Sequence, residues 1–313
     1  MAFSIKQYSA KDKEAWNSFL ETSKNGTFLL HRNYMDYHSD RFKDFSLMVY
    51  KDETLYAILP ANRDNTTFFS HQGLTYGGLI TNTKATANDI CQTFTVINDF
   101  LKKEGIIRVI YKPIPWIYQQ YPAEEDLYAI FKECNAQLIV RNISSTVIQN
   151  HTIKWNRDRH YGANKAQNDG IVVKESNDFS TFWEILEDNL MHTYQARPVH
   201  TLSEMQLLKQ RFPEQIRLYA AYQEGTMLGG TLLYVTPQVV HAQYISATPQ
   251  GKHKHAIDAL FRKLLKDTYS NYPYFDFGTS NENQGKVLNT SLIYQKEGFG
   301  GRAVCYDTYE WTL

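Results

Sequence analysis

Three side chains toward the C-terminus are of types that move protons: His241, Asp276 and Glu282. Histidine exchanges a proton near neutrality, so His241 is the candidate general base. Glu282 is the competing carboxylate base. Asp276 is expected at a strand end, orienting a neighbouring histidine or binding acceptor hydroxyls. It also opens the triplet Asp276-Phe277-Gly278 within YFDFGTSNENQG. In a protein kinase such a triplet holds magnesium, but only with a glycine-rich loop, a strand lysine and a His-Arg-Asp loop upstream. None of these precedes residue 276, so kinase chemistry is excluded.

The elements that must position these groups are legible from periodicity. Tyr274-Phe275-Asp276-Phe277 reads as a short strand after a turn at Asn271-Tyr272-Pro273, ended by Gly278. Thr279 to Gly285 is a polar loop with the composition of binding sites, and Asn283 within it is a candidate substrate contact. In VVHAQYISA, alternation puts His241, Gln243 and Ile245 on one face, which makes Gln243 a second substrate contact. Arg302 to Thr312 alternates as a last strand. Ile90, Phe94, Ile97 and Leu101 form one helical stripe, with Gly105 as its stop. Ile257, Leu260, Phe261, Leu264 and Leu265 form another. Phe179, Phe182, Leu186 and Leu190 form a third, capped by Asn177 or Asp178. Ser203-Glu204-Met205-Gln206 has capping-box spacing for a shorter helix.

The pattern occurs twice. Arg41-Phe42 and His71 in the first half match Arg211-Phe212 and His241 in the second, both at an offset of 170 residues. Each copy orders a helix, three strand-like runs, a helix and a strand, an α/β unit with a mixed sheet. This gives two domains, 1–152 and 153–313, with the polar, basic stretch Ile153 to Lys174 as the join.

Composition bounds the partners. Lys plus Arg equals Asp plus Glu at 33 each, so no net field recruits DNA, RNA or anionic membrane. Tyrosine is abundant, with 22 copies, and suits clefts and half-buried strands alike. Cys91, Cys134 and Cys305 lack metal-ligand spacing and read as reduced core thiols of a cytoplasmic protein, with no metal site expected. The polar N-terminus shows no signal peptide, and no apolar run approaches membrane-spanning length.

With this element order, Tyr294-Gln295-Lys296-Glu297-Gly298-Phe299 resembles the Tyr-x-Lys-x-Gly-Phe close of the GNAT (GCN5-related) N-acetyltransferase fold. The tandem arrangement resembles its FemAB-like branch, in which two GNAT-type domains face each other across a cleft. SHQGLTYGGLI, YKPIPWIYQQYPAEEDLYAIF, HAQYI and FDFGTSNENQG extend the likeness from about Trp16 to Trp311. The resemblance implies acyl transfer to an amine of a sugar, cell-wall precursor or peptide. It implies a splayed fourth strand, here the one bearing His241, and a tyrosine that protonates a leaving thiolate, here Tyr294. It implies acyl-CoA as donor, held where a Gln/Arg-x-x-Gly-x-Gly/Ala loop lends backbone N–H groups to a pyrophosphate. Gln250, Gly251, Lys252, His253 and Lys254 occupy that place, with His253 at the central glycine position. Relatives that use aminoacyl-tRNA are the second reading. No tRNA-binding helical hairpin is inserted here. A non-catalytic binding protein on the same scaffold is the third.

The acceptor is expected to contact both halves. His71, Gln72 and Tyr76 lie in a glycine-rich segment, and Lys112 precedes Pro113 and Pro115, which fix its place. Arg157, Arg159 and Lys165 are candidates to grip a phosphate, as in a nucleotide-linked sugar. Lys296 is expected to complement a helix C-terminus.

Overall fold

The computed structural model describes residues 2–313 and divides into two compact units. One holds the residues up to Asn142 together with Asn283–Lys286 and Cys305–Leu313; the other holds Ile143–Glu282 and Val287–Val304. The fold is α/β with mixed sheets, as the alternation of elements predicts.

The first unit runs β1 (Phe3–Gln7), α1 (Lys13–Glu21), α2 (Arg32–Met35), β2 (Leu47–Lys51), β3 (Thr54–Leu59), β4 (Asn62–Asp64), β5 (Thr67–Phe69), β6 (Ile80–Thr81), α3 (Ala87–Lys103), β7 (Arg108–Tyr111) and α4 (Glu125–Cys134). Strands β1, β2, β3 and β6 form one antiparallel sheet in that order. Strand β4 pairs antiparallel with β5, which runs parallel to β7. The stripe Ile90, Phe94, Ile97 and Leu101 buries one face of α3, and Thr86 accepts the Asp89 N–H to begin it.

The boundary falls inside β8 (Gln137–Ile148). The second unit continues with α5 (Arg157–Asn168), β9 (Val172–Ser176), α6 (Phe179–Tyr194), α7 (Leu202–Arg211), β10 (Ile216–Gln223), β11 (Thr226–Val235), β12 (Val239–Ala247), α8 (Pro249–His253), α9 (Ala256–Lys263), β13 (Tyr274–Thr279), β14 (Asn281–Glu282), β15 (Val287–Leu288), α10 (Thr290–Gly298) and β16 (Arg302–Thr312). Its sheet has the order β8-β13-β12-β11-β10-β9, antiparallel throughout except between β12 and β13. Leu260 and Phe261 of α9, with Leu264 just beyond its end, pack onto Phe275 and Phe277 of β13 and onto Phe299. These rings anchor β13 from one side, and that fixes the strand bearing Asp276.

Several expectations change. The last strand is present as read, but Cys305–Leu313 groups with the first unit, where Tyr309–Thr312 pairs with β7. The polar stretch Ile153 to Lys174 is no linker: it holds α5, which buries Gly162, Ala163 and Ala166, and most of β9. Small residues at that spacing let α5 approach α9 closely, a signal that overall polarity masked. The capping box of α7 is formed by Thr201 and Glu204, so Ser203 lies inside the helix. Cys305 is exposed, whereas Cys91 and Cys134 are buried. The matched histidines have different settings. His71 lies in the loop after β5 at φ +67°, and His241 lies on β12. Among the described residues, no helix is long and apolar enough to cross a membrane.

A buried cross-tie joins α5 to α9. The Asp258 carboxylate accepts from Arg159 Nη1 at 2.7 Å and from His255 Nδ1 at 3.1 Å. Removing the carboxylate strands the guanidinium, which typically costs about 3–5 kcal/mol when both partners are buried and less when one is partly wet, as Arg159 is. Asp258→Ala is therefore expected to lose about 2–3 kcal/mol in urea denaturation. An unchanged midpoint would mean the cross-tie does not hold α5 in place.

Candidate active site

Strands β12 and β13 run parallel for three residue pairs, Val239–Tyr274, Val240–Phe275 and His241–Asp276, and no pairing joins them beyond that. Two irregularities accompany the split. The β11–β12 register shifts so that Leu232 faces Tyr244 and Leu233 faces Ala242, leaving Gln243 as a bulge. The β13–β8 register shifts between Asp276 and Thr279, across Gly278 at φ +76°. A side chain at Gly278 would be strained there and would press on the His241 ring. The bulge also breaks the simple alternation expected to keep Gln243 on the His241 face.

His241 and Asp276 are the last pair before the strands part. Asp276 is fully buried, and its Oδ2 lies 2.7 Å from His241 Nδ1. Its Oδ1 accepts from Ser144 Oγ at 2.5 Å and from Thr146 Oγ1 at 2.8 Å, both on β8. Burial alone raises a carboxyl pKa. Here the His241 hydrogen bond and charge, with the two hydroxyls, outweigh it and hold Asp276 below the usual carboxylate range. An ionised Asp276 accepts only, so His241 Nδ1 carries the proton and Nε2 is the acceptor of the neutral ring. Nε2 makes no hydrogen bond among the described residues, and the side chain keeps 12% exposure. A fixed tautomer with an open acceptor nitrogen is what a general base requires.

Lys296 on α10 is buried, and its ammonium donates to the carbonyls of Gly278 at 2.9 Å and Thr279 at 2.7 Å. Burial lowers its pKa to about 8, with the Asp276 charge opposing. It therefore does more than complement a helix end, since it fastens the turn that follows Asp276. Ser144, Thr146 and this role of Lys296 were missed from sequence. The available signal was a pair of hydroxyls at i and i+2 within the apolar run ISSTVI.

The other expected site residues are dispersed. Glu282 is exposed on the β14–β15 hairpin, where its carboxylate accepts from Asn289 Nδ2 at 3.5 Å. Tyr294 is exposed on α10. Asn283 sits at φ +48° in a turn that groups with the first unit. Arg159 is bound to Asp258, and Lys165 lies 3.5 Å from Asp169. In the first unit His71 is buried and stacked on His38 at 5.1 Å, and burial pushes it down to about 2, which keeps it neutral. Tyr76 is core: its hydroxyl meets Thr27 Oγ1 at 3.0 Å and its ring packs on Tyr118. Lys112 donates to the carbonyls of Leu74 and Gln72, and burial lowers it to about 8. Gln72 alone of this group is exposed.

The expected donor loop is the five-residue α8. Thr248 Oγ1 accepts the Gly251 N–H at 2.9 Å, and the Thr248 carbonyl accepts the Lys252 N–H at 2.9 Å. Gly251 is required by packing, because a Cβ there would collide with the Leu228 carbonyl of β11. Lys252 Nζ donates to Asn189 Oδ1 and Lys254 Nζ to Gln223 Oε1. Gln250 and His253 remain exposed. The loop that reads as a phosphate cradle is largely satisfied within the protein.

The Lys296 geometry carries a pH dependence. Native Lys296 releases its proton near pH 8 and the unfolded side chain near 10.4, so between these values the unfolded state binds more protons. Stability from this group rises with pH across that window. The denaturation midpoints of the wild type and Lys296→Met, measured at pH 7.5 and pH 10, should diverge in favour of the wild type at the higher pH. A constant gap would refute the shift.

Comparison with known proteins places this geometry. Residues 157–284 match the model of a family described as an acetyltransferase (GNAT) domain. FemX is similar in structure over 99% of this chain and 97% of its own, with a TM-score of 0.69 and 9% identity. L-PGS from Bacillus licheniformis matches over 97% and 91%, with a TM-score of 0.61 and 12% identity. A tandem GNAT protein from the clavulanic acid biosynthesis pathway matches over 99% and 98%, at 0.52 and 10%. No curated protein matches the chain in sequence. Residues 157–284, which hold the split strands with His241 and Asp276, thus match a GNAT acetyltransferase domain, within a chain whose whole fold is similar to those of FemX and a tandem GNAT protein.

Proposed function

We propose that this chain is an N-acyltransferase in which His241 is the general base that activates an acceptor amine. The observation that carries the reading is the His241–Asp276 pair at the split between β12 and β13, with Nδ1 held by an ionised carboxylate and Nε2 left open. The amine attacks the acyl carbonyl, a C–N bond forms, and the bond from carbon to the leaving thiolate or alkoxide breaks. The amine proton passes to Nε2 and from there to the leaving group or solvent. Asp276 orients the ring and steadies the imidazolium. The acceptor is an amine of a sugar, cell-wall precursor or peptide, and Tyr294 and Glu282 are exposed in the same unit.

Acyl-CoA is the first donor to test. Aminoacyl-tRNA is the second reading, favoured by one observation: the N–H groups at the start of α8 are already bonded within the protein. Both donors present an acyl carbonyl to the same base.

His241→Gln is expected to lower turnover by roughly 10²–10⁴. Asp276→Asn removes the charge and turns one of the two acceptor oxygens into an NH₂ donor, so the Nδ1–H tautomer is no longer fixed; it should flatten the neutral limb of the pH–rate profile as well as lower the rate. Turnover in both variants within a factor of two of the wild type would end the assignment of His241. Reversing the charge of Lys252 and Lys254 should weaken CoA binding at least tenfold if α8 holds the donor. Unchanged affinity places the donor elsewhere.

A further inference from the structure

We propose that the first unit carries a second ligand site, an anion pocket formed by Arg41, Lys43, Arg63 and Gln72 that takes a phosphate-bearing small molecule. These side chains line an open depression of about 680 Å³, within the size range of small-molecule sites.

The pocket is built rather than incidental. Asn62 on β4 is buried, and its Oδ1 accepts the Gln72 N–H at 2.7 Å. Its Nδ2 must then be the donor to Gln72 Oε1, at 2.6 Å. That clasp commits the one acceptor atom of the Gln72 side chain and leaves the Nε2 group without a partner among the described residues. The Arg63 N–H donates to the Lys43 carbonyl at 2.9 Å, which fixes the two cationic residues beside each other. Arg63 Nε donates to the Asn65 carbonyl at 2.8 Å, while its two terminal nitrogens bond nothing among the described residues. Lys43 Nζ likewise has no hydrogen bond or ion pair.

The lining therefore offers donors: an ammonium, half a guanidinium fork and an amide NH₂, with Arg41 adding charge. The one carboxylate in the lining, Asp64, accepts from Asn65 Nδ2 at 3.1 Å and pairs with none of the cations. Arg41 lies 4.0 Å from Asp40, outside the lining, so Lys43 and Arg63 are the cations that leave the depression positive, in a chain whose formal net charge is zero. Lys43 and Arg63, held together without an acidic partner among the described residues, repel one another, and an anion between them relieves that repulsion. A phosphate suits the arrangement because it brings about two negative charges and several acceptor oxygens, which can take the Arg63 fork, the Lys43 point charge and the Gln72 amide together. Phe42 on the wall gives the rest of the molecule an apolar surface.

The site is independent of the acyl-transfer reading and is read by binding, not turnover. Calorimetric titration of the full chain with pyrophosphate at fixed ionic strength should give saturable binding that weakens at least tenfold in Lys43→Glu and in Arg63→Glu. Lys43 is exposed and unbonded, so its replacement should leave the thermal midpoint unchanged and isolate the charge effect. Arg63→Met is the milder partner should Arg63→Glu unfold. Inorganic phosphate should compete. Equal affinity in the wild type and Lys43→Glu, or an equal response to sulfate and pyrophosphate, would overturn the proposal.

Discussion

A carboxylate with no access to solvent organises the second unit. Isolated in an apolar interior, an ionised Asp276 would be prohibitively costly and would take up a proton instead. It stays charged because hydrogen bonds reach it from two neighbouring strands: His241 from β12, and Ser144 and Thr146 from β8. Those bonds exist only when β8, β13 and β12 lie side by side in the observed register. A slip of one residue would turn the hydroxyls to the opposite face and leave the charge buried alone. The candidate site and the centre of this sheet are thus one construction, and the charge that prepares His241 also penalises misregistered pairings.

The same dependence explains why the strands part where they do. Up to His241 and Asp276 the parallel ladder satisfies both backbones. Past that point the bulge at Gln243 and the positive φ at Gly278 turn the strands away from a shared ladder, which leaves backbone polar groups to be satisfied by other means. Lys296 supplies part of the answer by donating to the carbonyls of Gly278 and Thr279. A buried ammonium is a costly donor, and its lowered pKa records that cost. It is tolerated because the neighbouring Asp276 charge offsets part of the desolvation. The split is therefore a supported opening, held by one lysine on the helix that follows.

How much of this was legible in the sequence depends on what each feature rests upon. The stripes of α3 and α9, the Asp178 cap, the alternation of β16 and the resemblance of Tyr294–Phe299 to a family ending are local patterns, and the structure contains them. Asp276 does lie within hydrogen-bonding distance of a histidine, whose own strand showed readable alternation. What local pattern could not show was partnership. Arg159 looks like a free cation in NRDRHYG and proves to be spent on Asp258, 99 residues away. His71 matches His241 by offset, yet burial beside His38 removes its charge. Gly251 looks like a phosphate-loop glycine and is required by the Leu228 carbonyl. The α5 helix was hidden because its stripe is made of glycine and alanine, which carry little hydrophobic signal.

Partnership also decides where a ligand's charge can be met. In the second unit Arg159 faces a carboxylate, while Lys252, Lys254 and Lys296 face amide or backbone oxygens, so an anion there would compete with bonds the fold already makes. In the first unit Arg32 and Lys24 are likewise committed, to Asp36, Asp44 and Glu125. Lys43 and Arg63 are the contrast, side by side through one backbone hydrogen bond and neither neutralised. A cation that the fold leaves without an acidic partner is further stabilised by an anion that binds it. The distinction between a structural and a receptive charge lies in which acceptors the folded chain has already provided, and a sequence of balanced composition conceals it.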